Sequence, residues 1–239
     1  MMFLPRHPSP LLSSSRPARG GGGRSGFTLM ELLAAIGIVA VLAAMTLSGL
    51  RVVRSAGDSA KCVGSLRAVG QGIVAYVNDN TFSLPAYPYK PAAGQLPGPL
   101  NSGQIPVSSR KYQGMLAYMI YPYLGLPEPT AQDRVVPMLQ CPAWKRETKN
   151  PIGVSYYLPN DVVVDGAHVK PFGYPAPSYA EPMRMLALPG SPSSILVLQD
   201  VDRKLPGISG ADWAAALPAS PVHRGKRNLL YLDGHVASQ

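Results

Sequence analysis

Two imidazoles and a carboxylate fall together near the C-terminus, in His223-Arg224-Gly225-Lys226-Arg227-Asn228-Leu229-Leu230-Tyr231-Leu232-Asp233-Gly234-His235, with nine residues between His223 and Asp233. His223, Asp233 and His235 are of the types that could hold a divalent metal and leave coordination positions open. His223 could instead form an acid–base pair with Asp200 or Asp202. A structural arrangement accounts for the same residues: Asp233-Gly234 makes a turn, His223 hydrogen-bonds backbone in the adjoining loop, and His235, alternating with Val236, faces solvent. No HExxH, no Gly-x-Ser-x-Gly and no cluster of carboxylates accompanies them. The structural arrangement is therefore favoured, and no catalytic residue, metal ligand or cofactor is assigned.

Glu31 raises a different chemical question, because it is the only charged residue in the 24 positions from Phe27 to Leu50. A run of that length is about 36 Å long as a helix and spans a hydrocarbon core. An ionised carboxylate at bilayer depth costs on the order of 2.5 kcal/mol or more, so Glu31 needs a reason. It could lie at the interface, snorkel to water and favour the positive end of the helix dipole. A secretory signal peptide is a second reading, but such apolar regions run about 7 to 15 residues and lack an internal acid. In the third, the chain is cut after Gly26 and the new amino terminus pairs with Glu31 of a neighbouring copy.

The elements that must position these residues follow from apolar spacing. Ala60, Val63, Leu66, Val69, Ile73, Tyr76 and Val77 recur every three or four residues and predict that the helix continues to about Asn78, with one buried stripe. Gly57, Gly64, Gly70 and Gly72 weaken it, and Gly57-Asp58-Ser59 is the expected kink or break. Asn78-Asp79-Asn80 with Pro85 is the stop. Leu84 to Pro106, fronted by Tyr87-Pro88-Tyr89-Lys90-Pro91, reads as a long loop. A short helix is expected in Lys111 to Leu124, where Tyr118, Tyr121 and Tyr123 read as core rather than as a sugar-stacking platform. Strands are expected at Gly153 to Val164, Ser194 to Gln199, Asn228 to Leu232 and His235 to Ala237. Asp233-Gly234 predicts a type I′ hairpin turn. The fold class is α+β: a long N-terminal transmembrane helix spine packed on a small antiparallel sheet with long loops.

Gly26-Phe27-Thr28-Leu29 followed by Glu31 and an apolar stretch resembles the type IV prepilin signature shared by pilins and type II secretion pseudopilins. The resemblance implies cleavage after Gly26 by a membrane prepilin peptidase, N-methylation of Phe27, and a role for Glu31 in subunit registration within a helical filament. Met30 departs from the small or aliphatic residue often found there. The C-terminal segment resembles a His-X9-Asp-Gly motif that marks a subgroup of prepilin-like proteins, and Cys62, Tyr76-Val77-Asn78-Asp79, Pro85 and Cys141-Pro142 stand where that subgroup has similar residues. No biochemical role is implied for His223, Asp233, Gly234 and His235 by it.

Three segments follow from the resemblance: residues 1–26 as a removed leader, 27–80 as the prepilin-type helix with a membrane segment at about 27–50, and 81–239 as a periplasmic or extracellular α+β domain. The protein is expected in the inner membrane as a single-pass subunit of a type II secretion pseudopilus or pilus-like structure, and not as an enzyme. Its implied partners are the prepilin peptidase, other pilin or pseudopilin subunits, the inner-membrane assembly platform and membrane lipid. A tethered extracytoplasmic binding protein or metal-dependent enzyme is the alternative. In an oxidising compartment Cys62 and Cys141 could form one disulfide, closing a loop of about 80 residues; two buried free thiols is the other reading. Some pseudopilins hold calcium in a C-terminal loop, but Asp161, Asp165, Asp200 and Asp202 lack the spacing of one.

Charge adds little. Arg6, Arg16, Arg19 and Arg24 of the leader account for four of the formal +9, leaving about +5, and the remaining basic residues are scattered without interleaved aromatics. No nucleic-acid binding is expected. Basic residues flank both ends of the apolar run, so the charge comparison alone does not orient it.

Overall fold

The computed structural model describes residues 26–86, 100–173 and 180–239. The proposed leader before Gly26 and the Tyr87-to-Pro91 stretch lie outside them. The chain forms an α+β protein with two compact units, Met1–Ser48 and Gly49–Gln239. One helix, α1 (Leu29–Asp79), contributes to both. It is helical through Gly57-Asp58-Ser59, so the expected break is absent there. A Cβ at Gly57 or Gly64 would meet nothing within 4 Å, and the helix there carries only the propensity cost of glycine.

In the first unit every described residue from Gly26 to Thr46 is exposed. Phe27, Leu29, Met30, Leu32, Leu33, Ile36, Ile38, Val39, Val41, Leu42 and Met45 all show most of their surface. At about 1.5–3 kcal/mol for fully burying a large apolar side chain, leaving this surface in water forgoes on the order of 10–20 kcal/mol. Leu29–Thr46 is long and apolar enough to cross a membrane.

In the second unit α1 turns one stripe inward: Cys62, Leu66, Val69, Ile73 and Val77 are almost wholly buried. The stripe starts at Cys62 rather than Ala60, which is exposed. It packs with residues of a five-stranded antiparallel sheet. The strands are β1 (Gly103–Gln104), β2 (Val107–Ser108), β3 (Arg134–Val135), β4 (Tyr156–Tyr157), β5 (Val162–Val164), β6 (Ala167–Val169), β7 (Leu196–Asp200), β8 (Asn228–Tyr231) and β9 (Val236–Ser238). The main sheet has the order β1-β4-β7-β8-β9, while β2 pairs with β3 and β5 with β6. Gly70 allows close packing on this sheet: a Cβ there would lie 3.0 Å from Leu230 Cδ1 and 3.2 Å from Gly234 Cα.

Local chemistry explains where the elements differ from expectation. The predicted strand from Gly153 to Val164 divides into β4 and β5, with Pro159, which has no N–H to donate, between them. The predicted helix in Lys111 to Leu124 divides into α2 (Leu116–Met119) and a 3-10 turn at Tyr121–Leu124, with Pro122 at the junction. Tyr123 joins the core edge and meets Tyr76 in a T-shaped contact with ring centroids 5.9 Å apart. Tyr118 and Tyr121 are half-buried.

The β8–β9 turn is not type I′. Gly234 is left-handed, with φ 87°, but Asp233 is not among the described residues with positive φ. The Gly234 N–H donates to Tyr231 O, 2.9 Å, and Tyr231 N–H to His235 O, 3.0 Å. This is the three-residue hairpin loop in which a type I turn precedes a left-handed glycine. Three other segments hold consecutive positive φ values: Thr81-Phe82 (53° and 59°), just after α1, Arg224-Gly225 (55° and 81°), and Asp165-Gly166 (50° and 81°), between β5 and β6. The Arg224-Gly225 turn folds His223 back to bridge with Lys226.

Candidate functional site

At the start of α1, Thr28 and Glu31 cap the helix reciprocally. Thr28 Oγ1 accepts the Glu31 N–H at 3.2 Å, and Glu31 Oε2 accepts both the N–H and the hydroxyl of Thr28 at 3.0 Å each. This capping box satisfies amides that no earlier helical carbonyl serves. The Thr-x-x-Glu spacing before an apolar run is the sequence signal for this capping role of Thr28. Gly26 and Phe27 precede the helix, with Phe27 85% exposed.

A second arrangement is buried in the unit Gly49–Gln239. Cys62 on α1 and Cys141 form a disulfide with a Cα–Cα distance of 5.2 Å. Cys141 is the residue before α3 (Pro142–Glu147), whose proline occupies the first helical turn, where the missing N–H costs nothing. His223 Nε2 lies 3.3 Å from Cys141 Sγ and 3.5 Å from Asp200 Oδ2. Asp200 ends β7 and accepts the Asn228 N–H at 2.7 Å. Cys62, Cys141, Asp200 and His223 are 0, 1, 5 and 6% exposed. An ion pair between Arg146 of α3 and Asp58, one turn before Cys62 on α1, also ties these elements together.

Burial governs the charge states. It pushes the Asp200 carboxyl up to about 7, against the opposing hydrogen bonds of Asn228. It lowers His223 below the usual histidine range, with Asp58 pulling upward and Arg146 reinforcing the fall. A neutral imidazole against sulfur and carboxyl can exchange a proton with Asp200, and in a reduced chain it can take one from Cys141.

The structure separates the triplet His223, Asp233 and His235. His223 joins Asp200, whereas His235 Nδ1 contacts Asp233 Oδ1 at 2.6 Å and its ring stacks on Tyr231 at 4.4 Å. β8, four residues and about 13 Å long, runs between the two hairpin turns. Among the described residues, the ligand atoms that converge within 4.8 Å belong instead to Cys62, Cys141 and His223. Asp202 accepts two hydrogen bonds from Arg227, at 2.6 and 3.0 Å, Asp161 pairs with His168, and Asp165 lies in the β5–β6 turn.

Residues 22–47 match the model of the prokaryotic N-terminal methylation motif. That motif marks a prepilin-like precursor processed and methylated at its amino terminus, and with the apolar helix it supports a membrane-anchored, single-pass protein. No curated protein and no solved structure matches the chain.

Proposed function

We propose that this chain is a prepilin-type structural subunit, cut after Gly26, methylated on Phe27, and assembled through its N-terminal helix into a type II secretion pseudopilus or pilus-like filament. The observation that carries this reading is the methylation motif at residues 22–47, coincident with the Leu29–Thr46 stretch of α1, whose apolar side chains are exposed. A membrane can cover that surface before assembly, and equivalent helices of other subunits can cover it afterwards. In this reading Glu31 registers one subunit against the methylated terminus of the next, releasing its contacts to Thr28 to do so. The leader faces the cytoplasm and the C-terminal domain lies outside the inner membrane. The His-X9-Asp-Gly segment has a structural role: it closes the sheet and brings His223 onto the disulfide.

Mass spectrometry of the N-terminal peptide from native membranes tests the reading, with N-methylated Phe27 as the expected terminus. Gly26→Ala should leave the leader in place, and Glu31→Ala should block filament incorporation while the protein accumulates folded in the membrane. A native terminus beyond about residue 50 refutes the proposal, and an intact leader would favour a plain tether.

A further inference from the structure

We propose that the chain, with Cys62 and Cys141 in the dithiol state, binds one zinc ion through both thiolates, His223 Nε2 and a carboxylate oxygen of Asp200. The inference is independent of how the N-terminus is processed. Around a tetrahedral zinc with Zn–S near about 2.3 Å and Zn–N or Zn–O near about 2.1 Å, a sulfur and a nitrogen ligand stand about 3.6 Å apart and a nitrogen and an oxygen about 3.4 Å. His223 Nε2 already stands 3.3 Å from Cys141 Sγ and 3.5 Å from Asp200 Oδ2. Two edges of the tetrahedron are thus near their required length, and the ligand atoms of Cys62, Cys141 and His223 already lie within 4.8 Å of one another; Asp200 stands outside that group, so its carboxylate must swing toward the sulfurs to complete the set. Once the covalent bond is gone, the two sulfurs need to stand about 3.8 Å apart.

The donor set selects the metal. Two thiolates and an imidazole suit zinc, whereas calcium and magnesium require mostly oxygen ligands. Three anionic ligands against a doubly charged ion leave one negative charge, and the positive charges of Arg146 and Arg227 act on His223 and Asp200 respectively. With four protein ligands buried together, the site is a closed structural one without an open position for substrate.

The dithiol is the state of the newly made chain where thiols are kept reduced. It can also be reached by two-electron, two-proton reduction of the disulfide by a dithiol, which closes to its own disulfide. Zinc binding then releases the two thiol protons to solvent. Thiol–disulfide exchange with an oxidant disulfide, which takes up the two electrons and two protons and leaves as a dithiol, joins the zinc-bound thiolates, takes away both sulfur ligands and releases the ion. The same residues therefore tie α1 to α3 in either redox state, first through a metal and then through a covalent bond.

The test uses the full-length chain in detergent, purified throughout with a phosphine reductant or in the disulfide form, exposed to zinc and then desalted. Elemental analysis should find one zinc per reduced chain and none per oxidised chain, and cobalt in place of zinc should show thiolate charge-transfer and tetrahedral absorption bands. His223→Gln and Asp200→Asn should each weaken zinc binding by about 10-fold to 100-fold or more with the far-UV circular dichroism retained. A reduced chain that is unfolded without metal should refold on adding zinc. Failure of the reduced chain to take up stoichiometric zinc, or to refold with it, overturns the proposal. So does equal uptake by the Cys62→Ser/Cys141→Ser variant, which would put the ion on a surface pair such as Asp233 and His235.

Discussion

Gly64→Ala and Gly70→Ala are the same substitution in the same helix, and the structure predicts opposite effects. In an exposed helix interior alanine is favoured over glycine by about 0.8–1.0 kcal/mol. A Cβ at Gly64 meets nothing within 4 Å, so Gly64→Ala should stabilise by nearly that amount. At Gly70 the new methyl would stand 3.0 Å from Leu230 Cδ1 and 3.2 Å from Gly234 Cα. Leu230 is fully buried, and Gly234 is backbone fixed in the hairpin loop, so neither yields freely. Overpacking of this kind costs about 1–3 kcal/mol, which offsets or exceeds the helix gain. Because the helix term is common to both variants, their difference, about 1–3 kcal/mol, isolates the contact between α1 and the β8–β9 hairpin. Urea unfolding of the full-length protein in detergent measures it through the emission of Trp144 and Trp213, the two tryptophans of the chain, both in the unit Gly49–Gln239. The expected result is a midpoint moved up for Gly64→Ala and unchanged or lowered for Gly70→Ala, at constant denaturant slope. Equal stabilisation by the two would refute the packing argument.

Removing the disulfide with Cys62→Ala/Cys141→Ala frees a loop with a sequence separation of 79, so the chain-entropy relation predicts a loss of about 4.5 kcal/mol; the same urea titration reads it, and a loss below about 1 kcal/mol contradicts it. Arg227→Ala strands the carboxylate of Asp202, 1% exposed, and should cost about 3–5 kcal/mol, with much of the loss restored in Arg227→Ala/Asp202→Ala. Asp200 predicts a pH dependence: its carboxyl is raised in the folded state from 3.8 to about 7, so the folded chain binds more protons across that interval. The contribution is fully present below about pH 4 and is lost as pH rises through about 7. Asp200→Asn should flatten this fall in thermal unfolding between pH 4 and 7, and an unchanged slope would assign it to other groups.

Much of this architecture was legible because its signals are local. A 24-residue apolar run with one acid specifies a helix and its solvent whatever follows it. Residues spaced three and four apart, such as Leu66, Val69 and Ile73, must share a helix face, and the runs that became β7 and β8 could bury themselves only as strands or as core helix. The hairpin at Asp233-Gly234 was visible, but its turn type was not, since the pairing of Tyr231 with His235 decided whether one or two residues take positive φ. Asp165-Gly166, just past the expected Gly153-to-Val164 strand, carries the same local signal for the β5–β6 hairpin.

The candidate site divides along the same line. Thr28 and Glu31 lie three residues apart, so their capping geometry follows from helix periodicity alone. The choice of Asp200 over Asp202 for His223 has no such local determinant, because both aspartates stand just before the same loop. Strand pairing decided it: Asp200 is held at the edge of β7 facing Asn228, and Asp202 is engaged by Arg227. Tertiary packing likewise set His223 against a sulfur 82 positions earlier, and it gave Gly70, which looks in sequence like a defect in α1, its place under the β8–β9 hairpin. Periodicity fixes which side chains share a face of one element; only the packed chain fixes which faces meet, because that depends on contacts whose sequence separations no local spacing records.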